Sequence, residues 1–433
     1  MPQTKPQVTS TSVTNIQIIG DNILYNNGII KAFYLLPTTN YATASMDGVL
    51  RSITELTNLL GGLASQRPEI TFTIERVEKL IRAKDVKANL LESIKIYRDE
   101  YELPPEFSAN IRDDIQSYSL LAVDIQQSEM ADVEDLSLLG TAKELLKSMI
   151  AGMTGLGNLK MDPQKILDIE KNIFMAIRHK CTRASRELVF YNYVSKVFPC
   201  YEISYDALSF INENNFERIM GAVTQTVTDN FGYFEMHNDG IDLFGLPQQT
   251  TYGCMLDIKS FPRKIASANF PMDYPGCVTT IKTMKKDDAA LKLKRTRSSD
   301  RYEANQAEEF GAEEEQMEEL ETSIAIATHA LSEIERGETM CQFSCNILVT
   351  GLDRDELKQK IARINSDCKD RDILVSKSLT QAVDFLDNYL NMKPRKYDHF
   401  SSLQFPLSFQ QNNGSIVGDA GTSVFSPSIG EDL

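Results

Sequence analysis

No Gly-Lys dipeptide occurs anywhere in the 433 residues, which excludes a Walker A loop, whose lysine follows a glycine to reach the terminal phosphates. The glycine-rich stretch Gly152-x-x-Gly155-x-Gly157-x-x-Lys160 fits neither phosphate-cradling template. It follows a helical pattern rather than a strand and reads as a flexible linker. Histidine is scarce. The four present, His179, His237, His329 and His399, lie in no His-Glu-x-x-His motif and at no zinc spacing from cysteine, so no metal site is expected. Seven cysteines, an odd and loosely spaced set without a Cys-x-x-Cys pair, exclude a disulfide framework and read as reduced cytosolic thiols. Cys341 and Cys345 share one strand face, a core-facing arrangement. Gly-x-Ser-x-Gly is also missing, and no serine or cysteine has a recognisable base beside it. No catalytic residue and no cofactor site is therefore expected in this chain.

Long apolar runs are missing as well. With none of 18 residues or more, no membrane-spanning helix is expected. The polar start, Met1 to Asn15, has no apolar core, so no secretory signal is expected either. What is present is ordinary for a globular chain. Hydrophobic residues make up 42% and charged residues 24%, enough to bury sizeable cores and to exclude a collagen-like or wholly disordered chain. Length points to two to four domains. The formal charge is −16, and a surface of that sign repels phosphate backbones, so no direct nucleic-acid binding is expected.

Periodicity divides the chain. Residues 1–14 are rich in Thr, Ser, Gln and Pro and read as a disordered tail. Residues 15–135 read as a mixed α/β lobe. It has a hairpin (Ile23–Tyr25 and Ile29–Leu36 around Asn26-Asn27-Gly28) and a helix from about Ser45. A half-buried strand follows, with Ile70, Phe72 and Ile74 alternating with Thr71, Thr73 and Glu75. Two charged helices are expected over 78–101 and 105–117, then a strand over Ser119–Ile125. Residues 136–260 are expected to be mainly helical. Asp162-Pro163 opens a helix running beyond Cys181, a second spans Arg183–Val197, and a hairpin turns at Asn238-Asp239-Gly240. Thr250–Ile258 reads as a strand.

Residues 261–395 are expected to form a split-sheet lobe. Strand Cys277–Met284 leads into a long charged helical hairpin over 285–336, then strand Cys341–Thr350. Asp353 and Glu356 have capping-box spacing before a helix with the stripe Leu357, Ile361, Ile364 and Cys368. A short strand, Asp372–Ser376, and a last helix capped by Ser378 complete the lobe. The fold class is α+β, with a ferredoxin-like sheet interrupted by the helical hairpin. Residues 396–433, rich in Ser, Gln, Asn and Gly, read as a connector.

The charge pattern inside the hairpin is the strongest candidate for function. Lys282–Arg301 holds eight Lys/Arg against three Asp, and 303–321 holds nine Glu. One reading is a partner surface, with Lys292, Lys294, Arg295 and Arg297 on its basic side and Glu313, Glu314 and Glu315 on its acidic side. The plainer reading is two antiparallel solvated helices whose opposite charges face one another. The strip has no interleaved aromatics, which favours the plainer reading over nucleic-acid binding.

The segments Tyr252-Gly-Cys-Met-Leu-Asp-Ile-Lys-Ser-Phe-Pro262 and Phe343-Ser-Cys-Asn-Ile-Leu-Val-Thr-Gly-Leu-Asp-Arg-Asp-Glu-Leu357, on either side of the charged hairpin, carry a family resemblance. Their order resembles the N-terminal portion of the conjugative-transfer ATPases of type IV secretion systems, the VirB-four type. The resemblance implies a cytoplasmic protein held peripherally at the inner face of the cell membrane. It implies partners among the membrane subunits of the channel and homo-oligomers formed through a motor domain. In such proteins a connector like 396–433 leads into a RecA-like motor that binds ATP and Mg. No position of this chain matches the family's ATP-site residues, so the chain is expected to be inactive alone. Two other readings stay open: a stand-alone scaffold protein of a phage or cell-surface assembly, and an enzyme whose site is assembled from residues far apart in sequence.

Overall fold

β-branched runs punctuated by turns and helices dominate the described residues. The computed structural model describes residues 16–26, 29–36, 46–81, 114–125, 163–197, 234–237, 240–244, 250–261, 276–310, 314–370, 372–379, 392–394 and 396–411. In chain order they begin with strands β1 (Ile16–Ile19), β2 (Ile23–Asn26) and β3 (Ile29–Leu35), helix α1 (Met46–Gln66), and strands β4 (Thr71–Ile81) and β5 (Asp114–Asp124). Helix α2 (Pro163–Ile177), the short β6 (Thr182–Arg183) and helix α3 (Arg186–Val197) follow. Then come β7 (Phe234–His237), β8 (Gly240–Phe244), β9 (Thr250–Ser260) and β10 (Cys277–Thr283). Two long helices, α4 (Lys286–Phe310) and α5 (Glu314–Glu335), precede β11 (Met340–Gly351), α6 (Arg354–Lys369), β12 (Leu374–Lys377), β13 (His399–Ser402) and α7 (Gln404–Gln411).

The fold is α+β, with every strand among the described residues in one antiparallel sheet. Two split units build it. β3 leads through α1 to β4, with β5 between them and antiparallel to both. β11 leads through α6 to β12, with β9 between them in the same way. In each unit the outer strands run parallel, and a helix makes the crossover that parallel strands need. β10 joins the units, pairing β4 on one edge and β11 on the other. The strands expected in separate lobes are therefore hydrogen-bonded into one sheet. The charged hairpin α4–α5 is inserted into the connection between β10 and β11, which are antiparallel neighbours.

Register carries one apolar face across the sheet. Leu121 stands opposite Ile74, Ile281 opposite both Phe72 and Phe343, and Ile347 opposite both Cys277 and Leu256. Leu56, Leu60 and Leu63 of α1, Ile166 and Ile173 of α2, and Leu403 and Leu407 around α7 pack on its first half. Leu357, Ile361, Ile364 and Cys368 of α6, the expected stripe, pack on the second. Each such fully buried aliphatic side chain contributes roughly 1.5–3 kcal/mol. Asp353 caps α6 as its spacing foretold: its carboxylate accepts from the Asp355 and Glu356 amides at 2.9 and 2.7 Å, and the Glu356 carboxylate accepts from the Leu352 amide at 2.8 Å.

Several boundaries differ from expectation. The composition predicts helices over 78–101 and 105–117, yet Phe72–Ile81 and Asp114–Val123 form an unbroken antiparallel ladder, so 78–81 and 114–117 are strand. Long-range pairing overrides helix-favouring composition there. α2 stops at Ile177 and α3 begins at Arg186, because Thr182 and Arg183 pair with Leu35 and Tyr34. Residues 399–411, expected in the connector, pair with β11 and bury Leu403 and Leu407 in the core. The expected tail 1–14, the glycine-rich stretch 152–160, the body of the Ser378-capped helix and residues 412–433 lie outside the described residues.

A buried carboxylate closes one end of the sheet. Both oxygens of Glu170 accept from the Arg183 guanidinium, at 2.9 and 3.0 Å. The Tyr34 hydroxyl and the Asn22 amide donate to it at 3.1 and 3.2 Å. The guanidinium also lies 3.9 Å above the Phe174 ring. One carboxylate thus ties β3, α2, β6 and the β1–β2 turn together, with its charge fully partnered.

His399 occupies an aromatic cluster. Its ring lies 5.1 Å from Phe261 and 4.9 Å from Phe343, and its Nε2 donates to the Ile258 carbonyl at 2.7 Å. Burial pushes the imidazole below its usual 6.5, partly opposed by that hydrogen bond. Below pH 6.5 the unfolded chain takes up a proton that the folded chain refuses, so stability falls as pH drops from there through the folded value. Between pH 7.5 and pH 5.5, roughly one unit either side of the free value, the urea midpoint of the wild type is expected to fall further than that of H399Q. Equal falls exclude His399 as the sensor.

Candidate functional site

The β10–β11 ladder ends with Thr283 opposite Cys341, and the Met284 amide donates to the Met340 carbonyl at 3.0 Å. From that rim α4 leaves the sheet and α5 returns. At 25 residues α4 is about 37 Å long at the usual helical rise. Its root is held by Ala289 and Leu293 against Ala327, Ile334 and Met340, with Met284, Leu331 and Phe400 alongside. Lys292 Nζ lies 4.6 Å above the Phe400 ring. Farther out, the Ser323 hydroxyl donates to Asp300 Oδ2 at 2.6 Å and fixes the register of the two helices.

That register decides where the charges lie. With Asp300 opposite Ser323, Lys294 and Arg295 stand level with His329 and Thr328, and Arg297 stands level with Ile326. None of these three neighbours is a carboxylate. Among the described residues, Lys294, Arg295 and Arg297 take part in no ion pair. Lys294 and Arg295 are exposed, while Arg297 is half-buried. The expected facing of opposite charges is therefore absent from this pairing: the basic strip occupies the root of the arm and the glutamates its tip. Lys282 and Lys285, at the rim, do find a carboxylate, at 3.9 and 3.3 Å from Glu69. Glu313 lies outside the described residues. Glu314 and Glu315 open α5, and their side chains are likewise outside the description.

A second polar constellation lies on the opposite face of the sheet, part of it under α3. The strand alternation predicts a half-exposed face here, but Thr73 and Glu75 are buried. Glu75 pairs with Lys196 and accepts from the Asn192 amide at 2.6 Å. Lys31 pairs with Asp124 and donates to the Met392 carbonyl at 3.0 Å. Asn346 donates to Asp257 at 2.7 Å, and Lys259 lies 2.9 Å from the same carboxylate. Burial pushes the Lys196 ammonium down, and the Glu75 carboxylate pulls it back only in part. These residues escape sequence reasoning because Lys31 sits inside an apolar strand and Lys196 near the end of a helix, with no motif spacing. Each charge has a partner, and the Glu75–Lys196 pair with the Asn192 hydrogen bond clamps α3 to the sheet.

Cys277 and Cys345 approach to 3.7 Å between sulfurs in the core beneath α6. Their mutual contact and burial raise the Cys277 thiol, which keeps it protonated and unreactive. Among the described residues, no group of three or more His, Cys, Asp or Glu is placed to hold a metal ion. Among them also, no helix is long and apolar enough to cross a membrane. No protein-family model matches the chain, and no curated protein matches it. The arm is thus the feature that most departs from what a folded sheet requires.

Proposed function

We propose that this chain is the assembly and partner-docking part of a VirB-four-like conjugative-transfer ATPase, held peripherally at the inner face of the cell membrane. Its partners in this reading are the membrane subunits of the secretion channel and other copies of itself, and ATP hydrolysis belongs to a motor domain beyond the connector. The observation that carries the reading is the arm. The described apolar packing of the hairpin on the sheet is confined to its root, yet the hairpin presents basic side chains outside any ion pair there and glutamates toward its tip. Exposed, uncompensated charge on a rigid support favours recognition over stability. The order β9, β10, charged hairpin, β11, turn and α6 is the order on which the family resemblance rests.

The test is transfer from donor cells carrying K294E/R295E in place of the wild-type gene. The variant is expected to accumulate normally, since Lys294 and Arg295 have no ion pair to lose, and to lower the frequency of conjugative transfer by about tenfold or more. Normal abundance with normal transfer overturns the proposal and favours a stand-alone scaffold.

A further inference from the structure

The outward face of α4 is self-complementary, and we infer that it pairs with the same face of a second copy of this chain, the two arms running antiparallel. The inference rests on the docking reading and names the partner of that surface. Lys294, Arg301 and Glu308 recur at intervals of seven residues, as do Arg295, Tyr302 and Glu309, and all six are exposed. Seven residues are close to two helical turns, so the six form one continuous stripe. The stripe is basic near the sheet and acidic toward the tip. Among the described residues none of its charges is in an ion pair.

It also carries apolar surface. Leu291, one turn before Arg295, is 48% exposed, and Tyr302, at the middle of the stripe, is 63% exposed. The Tyr302 hydroxyl accepts from Gln306 at 2.9 Å, which holds the ring along the helix surface.

Charge selects the orientation. Parallel arms would set Lys294 beside Lys294 and Glu308 beside Glu308. Antiparallel arms with a two-fold axis between Arg301 and Tyr302 set Lys294 beside Glu309 and Arg295 beside Glu308, and each Arg301 meets the partner's ring face. An anionic lipid surface or a nucleic acid fits worse, because the glutamates of the same stripe repel it.

The experiment is sedimentation velocity on the full chain across tens to hundreds of micromolar. The proteins are the wild type, a root-reversed variant (K294E/R295E), a tip-reversed variant (E308K/E309K) and an equimolar mixture of the two variants. The wild type is expected to dimerise. Each variant alone meets like charge at both ends and is expected to weaken dimerisation by about tenfold or more. The mixture restores opposite charge at both ends and is expected to return to within about threefold of the wild-type affinity. Rescue also proves both variants folded. A monomeric wild type, a dimer that survives either reversal, or a mixture that stays monomeric overturns the inference. If the wild type is monomeric while transfer still needs the basic strip, only self-pairing fails, and the face belongs to a channel subunit. If reciprocal rescue occurs in a chain whose transfer ignores the strip, only the secretion reading fails.

Discussion

Glu75→Ala is expected to destabilise the fold by about 3–5 kcal/mol, read as a fall in the urea midpoint at unchanged slope. Glu75 is 2% exposed, pairs with Lys196 and accepts from Asn192 at 2.6 Å. Truncation leaves a buried ammonium and a buried amide donor without their acceptor. Burial already disfavours the charged form of Lys196, so its surroundings offer little to replace the lost carboxylate. The double variant E75Q/K196M separates the pair from its environment. The introduced glutamine still accepts from Asn192, and the introduced methionine fills the volume of the lysine stem without a charge. This variant is expected to lie within about 1 kcal/mol of the wild type, because the desolvation cost of the pair offsets most of its attraction. A loss below about 1 kcal/mol for E75A would mean that water reaches the pair.

The same pair marks the limit of sequence reading. The alternation of Ile70, Phe72 and Ile74 with Thr71, Thr73 and Glu75 predicts a strand and its apolar face, and both are present. It also predicts a wet opposite face, and that fails because α3 covers it. Polar alternation reports which side chains need partners, and Asn192, 117 residues away from Glu75, serves as well as water. The α6 cap was legible because Asp353 and Glu356 act within one turn. The strand character of 78–81 and 114–117 was not, because it depends on pairing between segments more than thirty residues apart. The hairpin arm was visible as a charged, proline-free stretch, but its internal register was not. That register rests on the bond between Asp300 and Ser323 and on apolar packing at the root, neither of which a charge count contains.

Once the register is known, the charge pattern changes meaning. Had basic and acidic segments faced one another, the arm would be a self-satisfied hairpin and its charges a matter of solubility. With Lys294 and Arg295 level with His329 and Thr328, the charges have no intrachain purpose in the pairing. Stability and recognition are thereby separated along one element. The root supplies buried Ala289, Leu293, Ala327 and Ile334, and the exposed charges of α4 beyond it are available for a partner.

Excising the arm exploits that separation and is expected to abolish transfer while leaving the sheet folded. β10 and β11 are already antiparallel neighbours, with Thr283 opposite Cys341 and Met284 hydrogen-bonded to Met340. Replacing residues 285–339 by Asn-Gly asks for a two-residue type I′ turn, the connection that suits such a ladder. The losses are the root packing over Met340 and Phe400, the Lys285–Glu69 pair and one bond from the Leu403 amide to the Thr339 carbonyl. Together they are expected to cost about 2–5 kcal/mol, below the stability of a typical folded domain, so the cooperative urea transition persists. In donor cells the excised protein is expected to accumulate while transfer falls to the level of a gene deletion. An excised chain that fails to fold would make the arm part of the core. One that folds and still supports normal transfer would remove the arm from the assembly altogether, and with it the reason for assigning this chain to the secretion machine.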